Sequence, residues 1–142
     1  MPKTFSSVWV HTIWTTKERN PLLNQTFRAE LCTFIRKNTR KKEILVDMIN
    51  GVEDHLHCLF RLLPRQSISE VMKQIKGASS FWINDNNLTP IKFKWQEGFG
   101  ALSVSPGEID KVRSYIKNQK QHHKKWHLDD ELKRFLYFSP NE

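Results

Sequence analysis

The pattern of apolar residues in this chain predicts an α+β fold: a ferredoxin-like split βαβ arrangement (βαββαβ plus C-terminal helices), with an antiparallel sheet and helices packed on one of its faces. Three observations carry that expectation. Runs at strand period alternate with runs at helical spacing, in the order strand, helix, strand, strand, helix, strand, helix. Two capping boxes, Ser67 to Glu70 and Ser105 to Glu108, mark helix starts. The 142 residues, 38% hydrophobic and 27% charged, suit one globular domain spanning 1–142 around one core and do not suit a disordered chain.

Phe5 to Thr16 (FSSVWVHTIWTT) is β-branched and aromatic-rich and reads as the first strand, followed by a polar turn from Lys17 to Pro21. Phe27, Leu31, Phe34, Ile35 and Asn38 then recur at helical spacing, giving a helix from about Asn24 to Thr39. Its basic end, Arg36 to Lys42, suits the negative end of the helix dipole. Glu43 to Asn50 reads as a second strand, Gly51 as a turn, and the next strand ends at Pro64. Ser67 opens a second helix whose inner face carries Ile68, Val71, Met72, Ile75, Ser79 and Trp82. After turn chemistry at Asn84 to Pro90, Ile91 to Val104 reads as a strand or a bent pair interrupted at Gly98–Phe99–Gly100. Pro106 sits at the first helical position of a third helix expected to reach about His123. Trp126, Leu128, Leu132, Phe135 and Leu136 suggest a short amphipathic tail helix. There is no internal repeat and no low-complexity tract.

The formal charge is +8, and the excess is clustered. Arg36, Lys37, Arg40, Lys41 and Lys42 form one group; Lys111, Arg113, Lys117, Lys120, Lys124 and Lys125 form another, with no acid among them. Clustered positive charge favours a polyanion, nucleic acid before a membrane surface, with a solvated basic helix face as the plainer alternative. Cys32 and Cys58 fall outside any metal-binding Cys-x-x-Cys spacing and read as small core residues of a reducing compartment. With no signal peptide, long apolar run or lipidation motif, the expected location is cytoplasmic and off the membrane.

Chemistry concentrates in Asp54–His55–Leu56–His57–Cys58–Leu59–Phe60. Strand side chains alternate faces, so His55 and His57 share one face while Leu56, Cys58, Phe60 and Leu62 form an apolar row on the other. The two imidazoles start about 6.6 Å apart along the strand, a workable separation for converging on one metal ion. On that spacing alone, a pair of surface histidines on a half-buried strand is the commoner outcome. In the third helix, Ile109, Val112 and Ile116 make the apolar stripe, and Tyr115, Gln119 and His122 line up along its flank. Tyr115 is a candidate nucleophile, and Gln119, one turn later, can present its amide oxygen to whatever Tyr115 faces. Taken singly, Tyr115 is better explained as a core-boundary aromatic and Gln119 as a solvated helix residue.

Together these features resemble the single-tyrosine HUH transposases of the smallest insertion sequences, to which the REP-associated tyrosine transposases are related. The resemblance covers nearly the whole chain. His55–Leu56–His57 after Asp54 is similar to the family's HUH motif, in which U is a bulky apolar residue. Trp14–Thr15–Thr16–Lys17–Glu18–Arg19 with Pro21–Leu22–Leu23 resembles its N-terminal strand and turn, and Trp95 to Ser105 (WQEGFGALSVS) resembles the segment before its tyrosine helix. Tyr115 and Gln119 match the nucleophile and the third metal ligand.

The resemblance implies a metal-dependent enzyme that cleaves and rejoins single-stranded DNA through a 5′-phosphotyrosine link, leaving a free 3′-OH. It implies His55, His57 and Gln119 as ligands, although His122 and His123 lie close enough in sequence to leave the third one open. Two nitrogens and an amide oxygen suit Mn²⁺, Mg²⁺ prefers oxygen, and zinc is allowed by ligand type alone. The expected partners are hairpin-containing element ends and a second copy of the chain. Lys111, Arg113, Lys117, Lys120, Lys124 and Lys125 are the expected phosphate contacts, and Trp9, Trp14, Trp82, Trp95 and Trp126 include candidate stacking platforms. The chain is compact, whereas REP-associated members often carry a longer C-terminal region, which points to the insertion-sequence branch. Two other classes compete. A non-catalytic nucleic-acid-binding module on the same fold would stack bases on sheet aromatics, where this chain has His55 and His57. A metal-dependent hydrolase would use water, not Tyr115, as nucleophile.

Overall fold

A computed structural model describes residues 3–119 and Asp130. Its elements are β1 (Val8–Thr15), α1 (Gln25–Lys41), β2 (Leu45–Gly51), β3 (His55–Leu62), α2 (Ile68–Asp85), β4 (Gly100–Val104) and α3 (Ile109–Lys117), with short 3-10 turns at Lys17–Arg19 and Pro106–Glu108. The four strands form one antiparallel sheet in the order β2-β3-β1-β4. Because β3 is inserted between β1 and β2, and β1 between β3 and β4, each βαβ unit is split by the other's strand. This is the expected ferredoxin-like α+β topology.

The two long helices start where the capping residues put them. Asn24 accepts a hydrogen bond from the Phe27 N–H (3.0 Å) and Ser67 from the Glu70 N–H (3.1 Å), satisfying amides that have no partner within the helix. Phe27, Leu31, Ile35 and Thr39 form the buried stripe of α1, and Val71, Met72, Ile75, Ser79 and Ile83 that of α2. The helices also meet through Phe34 and Trp82, whose rings stack at 4.6 Å and 8°. Both stripes pack on the sheet face formed by Val10, Trp14, Leu56, Cys58 and Phe60, which makes the main core. That is the apolar row expected of β3.

Three features differ from the pattern of the sequence. α3 lies on the opposite face of the sheet from α1 and α2, against β2 and β3. β3 is therefore buried on both faces from His55 to Phe60. The long strand expected from Ile91 to Val104 is confined to Gly100–Val104, preceded by a single bridge between Trp95 and Thr16. Upstream, side chains of α2 take the place of a strand partner. The Asn84 amide pairs with both the N–H and C=O of Phe93 (2.7 and 2.9 Å), and the Trp95 indole N–H donates to Ser79 Oγ (2.9 Å). The Ser105 capping box does not close through its side chain; instead the Glu108 N–H donates to the Ser105 carbonyl (2.9 Å). The expected tail helix, and the reach of the third helix to His123, lie outside the described residues.

Candidate active site

His55 and His57 occupy the β3 face that α3 covers, and both are fully buried. Their ring centroids are 5.1 Å apart. The plainer expectation of surface histidines fails because α3 closes over a strand face that would otherwise meet solvent.

Each imidazole has a defined outer partner. His55 Nδ1 lies 2.7 Å from Asp54 Oδ1, while the other carboxylate oxygen of Asp54 is 3.6 Å from Arg19 Nε. A carboxylate on Nδ1 holds the proton there and leaves Nε2 as the lone-pair nitrogen. His57 Nδ1 lies 2.9 Å from His11 Nε2. β1 pairs with β3 so that His11 stands opposite Leu59 and Ile13 opposite His57, which places His11 diagonally from His57 on the same sheet face.

α3 brings in the phenol. The Tyr115 ring lies edge-on to His57 at 5.6 Å and to His11 at 6.3 Å, all within one chain. Gln119 follows one turn later and is fully buried; its amide N–H donates to the Tyr115 carbonyl (3.3 Å). Its amide oxygen is buried and accepts no hydrogen bond among the described residues. Leaving such an acceptor unmet costs about 1–3 kcal/mol, a cost that a bound cation would offset. No three His, Cys, Asp or Glu side chains gather as a ligand set among the described residues. Two imidazole nitrogens and a buried amide oxygen fit a divalent transition ion by donor chemistry.

Two contacts fasten α3 to the sheet, and neither was legible in the sequence. Asn50, paired opposite His57 in β2, donates its amide N–H groups to the Ile116 and Lys117 carbonyls (3.0 and 3.1 Å) at the end of α3. A register shift in β2 between Val46 and Met48 leaves Asp47 outside regular pairing, and its carboxylate takes a two-pronged contact from Arg113 (2.7 Å to each oxygen). Arg113 also donates to Asp110 (2.8 Å), and these carboxylates hold its guanidinium in the charged form. Arg113, expected as a phosphate contact, makes these contacts within the protein with its side chain still partly exposed. Lys111 and Lys117 stand exposed on α3; Lys120, Lys124, Lys125, His122 and His123 lie outside the described residues.

A further basic surface lies on the α2 side of the sheet. A groove of about 760 Å³ between α2 and residues 93–99 is lined by Lys17, Lys73, Lys94 and the half-exposed Phe99. Lys76 at its floor donates to the Gln96 and Gly98 carbonyls (2.7 and 2.8 Å), and burial lowers its pKa. Among the described residues, no helix is long and apolar enough to cross a membrane.

Comparison with known proteins bears on what this arrangement does. The family model described as IS200-like transposase matches residues 4–119. The chain is 26% identical over 115 residues to the transposase for insertion sequence element IS200 of Salmonella typhimurium, covering 77% of this chain and 74% of that one. It is 25% identical over 122 residues to the ISDra2 transposase TnpA of Deinococcus radiodurans, covering 77% and 81%. Among solved structures, it is similar to a Deinococcus radiodurans protein assigned as a transposase, with a TM-score of 0.65 and 22% identity over 82% of this chain and 93% of that one. It is also similar to a REP-associated tyrosine transposase bound to a REP hairpin, with a TM-score of 0.61 and 18% identity over 87% and 74%. With the family model spanning most of its length, from the first strand through the end of the tyrosine helix, this chain belongs to the IS200-like transposase family.

Proposed function

We propose that this transposase cleaves and rejoins single-stranded DNA with Tyr115 as nucleophile, assisted by a divalent ion held by His55, His57 and Gln119. The observation that carries the reading is the meeting of Tyr115 with His57 at 5.6 Å, beside a buried Gln119 oxygen that accepts no hydrogen bond among the described residues. A free phenol ionises near pH 10, so an unassisted tyrosine is a weak nucleophile at neutral pH. A bound Mn²⁺ or Mg²⁺ would supply Lewis-acid polarisation of a phosphate oxygen. The protein's own part is to aim the phenol oxygen at phosphorus and keep the corner dry.

In that step the Tyr115 oxygen–phosphorus bond forms and the phosphorus–O3′ bond breaks. The proton lost by the phenol is balanced by the one gained at the 3′-oxygen, leaving a 5′-phosphotyrosine and a free 3′-OH. Bond energy is conserved in the ester, so another 3′-OH can reverse the step without a nucleotide cofactor. Lys111 and Lys117 on one face, with Lys17, Lys73 and Lys94 on the other, are suited to neutralising phosphates. Arg113, expected among the phosphate contacts, also seats α3 through Asp47. Hairpin-containing element ends as substrate and a homodimer as the working unit complete the proposal.

The test is incubation of the protein with labelled single-stranded and duplex element ends, with and without Mn²⁺ or Mg²⁺, read on a denaturing gel. The expected result is a metal-dependent adduct on single strands only, lost in Tyr115→Phe while DNA binding persists. An adduct from Tyr115→Phe would remove Tyr115 as nucleophile. Strand cleavage by that variant without an adduct would favour water-dependent hydrolysis.

A further inference from the structure

We infer that His11 is a positioning residue that holds His57 in the tautomer whose Nε2 lone pair faces the site. The contact is His11 Nε2 to His57 Nδ1 at 2.9 Å, between rings that are 1% and 0% exposed. Two ring nitrogens at that distance need one proton between them. If His57 carries it, Nδ1–H donates to His11, and His57 Nε2 carries the lone pair. If His11 carries it, His57 must be protonated on Nε2 to stay neutral and cannot use that nitrogen as a ligand. The inference rests on the reading of His57 as a ligand, which requires the first arrangement.

The two candidate ligands then differ in their outer partners. His55 leans on a carboxylate, Asp54, at 2.7 Å, whereas His57 leans on a second imidazole, His11, at 2.9 Å. A carboxylate partner raises the basicity of the imidazole it holds and adds negative charge beside the ion. The His11 imidazole would fix orientation without adding negative charge. His11 also sits 6.3 Å edge-on from Tyr115. The role is distinct from those of His55, His57 and Gln119, because His11 acts through His57 and is not itself a ligand.

Two measurements test this on the full chain. In the metal-free protein, long-range ¹H–¹⁵N correlation of the imidazoles reports the tautomers, with His57 assigned by its loss in His57→Ala. The expected result is a protonated Nδ1 and an unprotonated Nε2 on His57; a His57 protonated on Nε2 would overturn the inference. Separately, Mn²⁺ binding is titrated for wild type, His11→Ala and His11→Gln, each checked for folding by circular dichroism. His11→Ala should bind about 10–100-fold more weakly, the usual loss when an outer partner of a ligating histidine is removed. His11→Gln, whose amide oxygen reaches about where Nε2 sits, should recover most of that loss. Equal affinity in wild type and a folded His11→Ala would overturn the inference and leave the ligand assignment intact. Wild type that binds no Mn²⁺ would instead overturn the ligand assignment, and the tautomer would still decide the role of His11. If His11→Ala does not fold, the wild-type tautomer and His11→Gln decide it.

Discussion

Removing the Asn50 side chain should loosen the tyrosine helix without unfolding the sheet. Asn50 donates to two carbonyls at the end of α3, at 3.0 Å to Ile116 and 3.1 Å to Lys117. A net contribution of about 0.5–1.5 kcal/mol per bond gives an upper figure near 3 kcal/mol. The Lys117 contact is exposed, so water substitutes for much of it, and about 1–2 kcal/mol remains for Asn50→Ala. That corresponds to a roughly 5–30-fold shift in the balance between docked and undocked α3. Amide hydrogen exchange read residue by residue is the direct assay, because it separates local opening from global unfolding. Protection in α3 should fall by that factor, while protection in the central strands β1 and β3 should change little. The rate of adduct formation should fall in parallel if Tyr115 must be docked to react. Lys117→Ala, which removes an exposed side chain from the same turn, is the control for the exchange measurement alone. Unchanged exchange in α3 of Asn50→Ala would refute the claim that this side chain fastens the helix.

Two further expectations come from glycines and thiols. A Cβ at Gly51 would fall 2.2 Å from the His55 carbonyl and 2.6 Å from Leu56 Cδ2, so Gly51→Ala must displace the start of the histidine strand. It should destabilise by about 1–3 kcal/mol in urea titration, the usual cost of overpacking. Gly77→Ala meets nothing within 4 Å inside α2 and should stabilise by about 0.5–1 kcal/mol; equal effects of the two would contradict the geometry. Burial pushes the Cys32 thiol up to about 11 and raises that of the fully buried Cys58 further. A raised pKa keeps the thiol protonated, so at pH 8 the Cys32 thiolate fraction is on the order of one in a thousand. Both thiols should stay silent to Ellman's reagent at pH 8 until the protein is denatured. Titration of the native protein at the rate of free cysteine would refute that placement.

The local signals that needed no partner were readable in the chain. Ser67 caps a helix because a side-chain oxygen three residues before an orphan amide needs only local backbone to reach it. The alternation around His55 and His57 assigned those rings to one face because strand geometry alone decides which neighbours share a side. The reading failed wherever a side chain from elsewhere in the fold competed. Ile91 to Trp95 has a strand-like composition, yet Asn84 and Ser79 of α2 take up polar groups of Phe93 and Trp95, and the ladder starts only at Gly100. Arg113 looked like any basic helix residue until a register shift in β2 left Asp47 placed to receive it.

Residue order by itself determined the element sequence, the split βαβ topology, and the identity of two histidines sharing a strand face with a tyrosine and glutamine on a later helix. Only the tertiary structure decided that α3 closes on the histidine face, that Asn50 ties it there, and that His11 meets His57 across two strands. The reason is physical: periodicity and capping depend on neighbours a few residues apart, whereas strand register and the docking of a helix depend on which distant surfaces bury one another best.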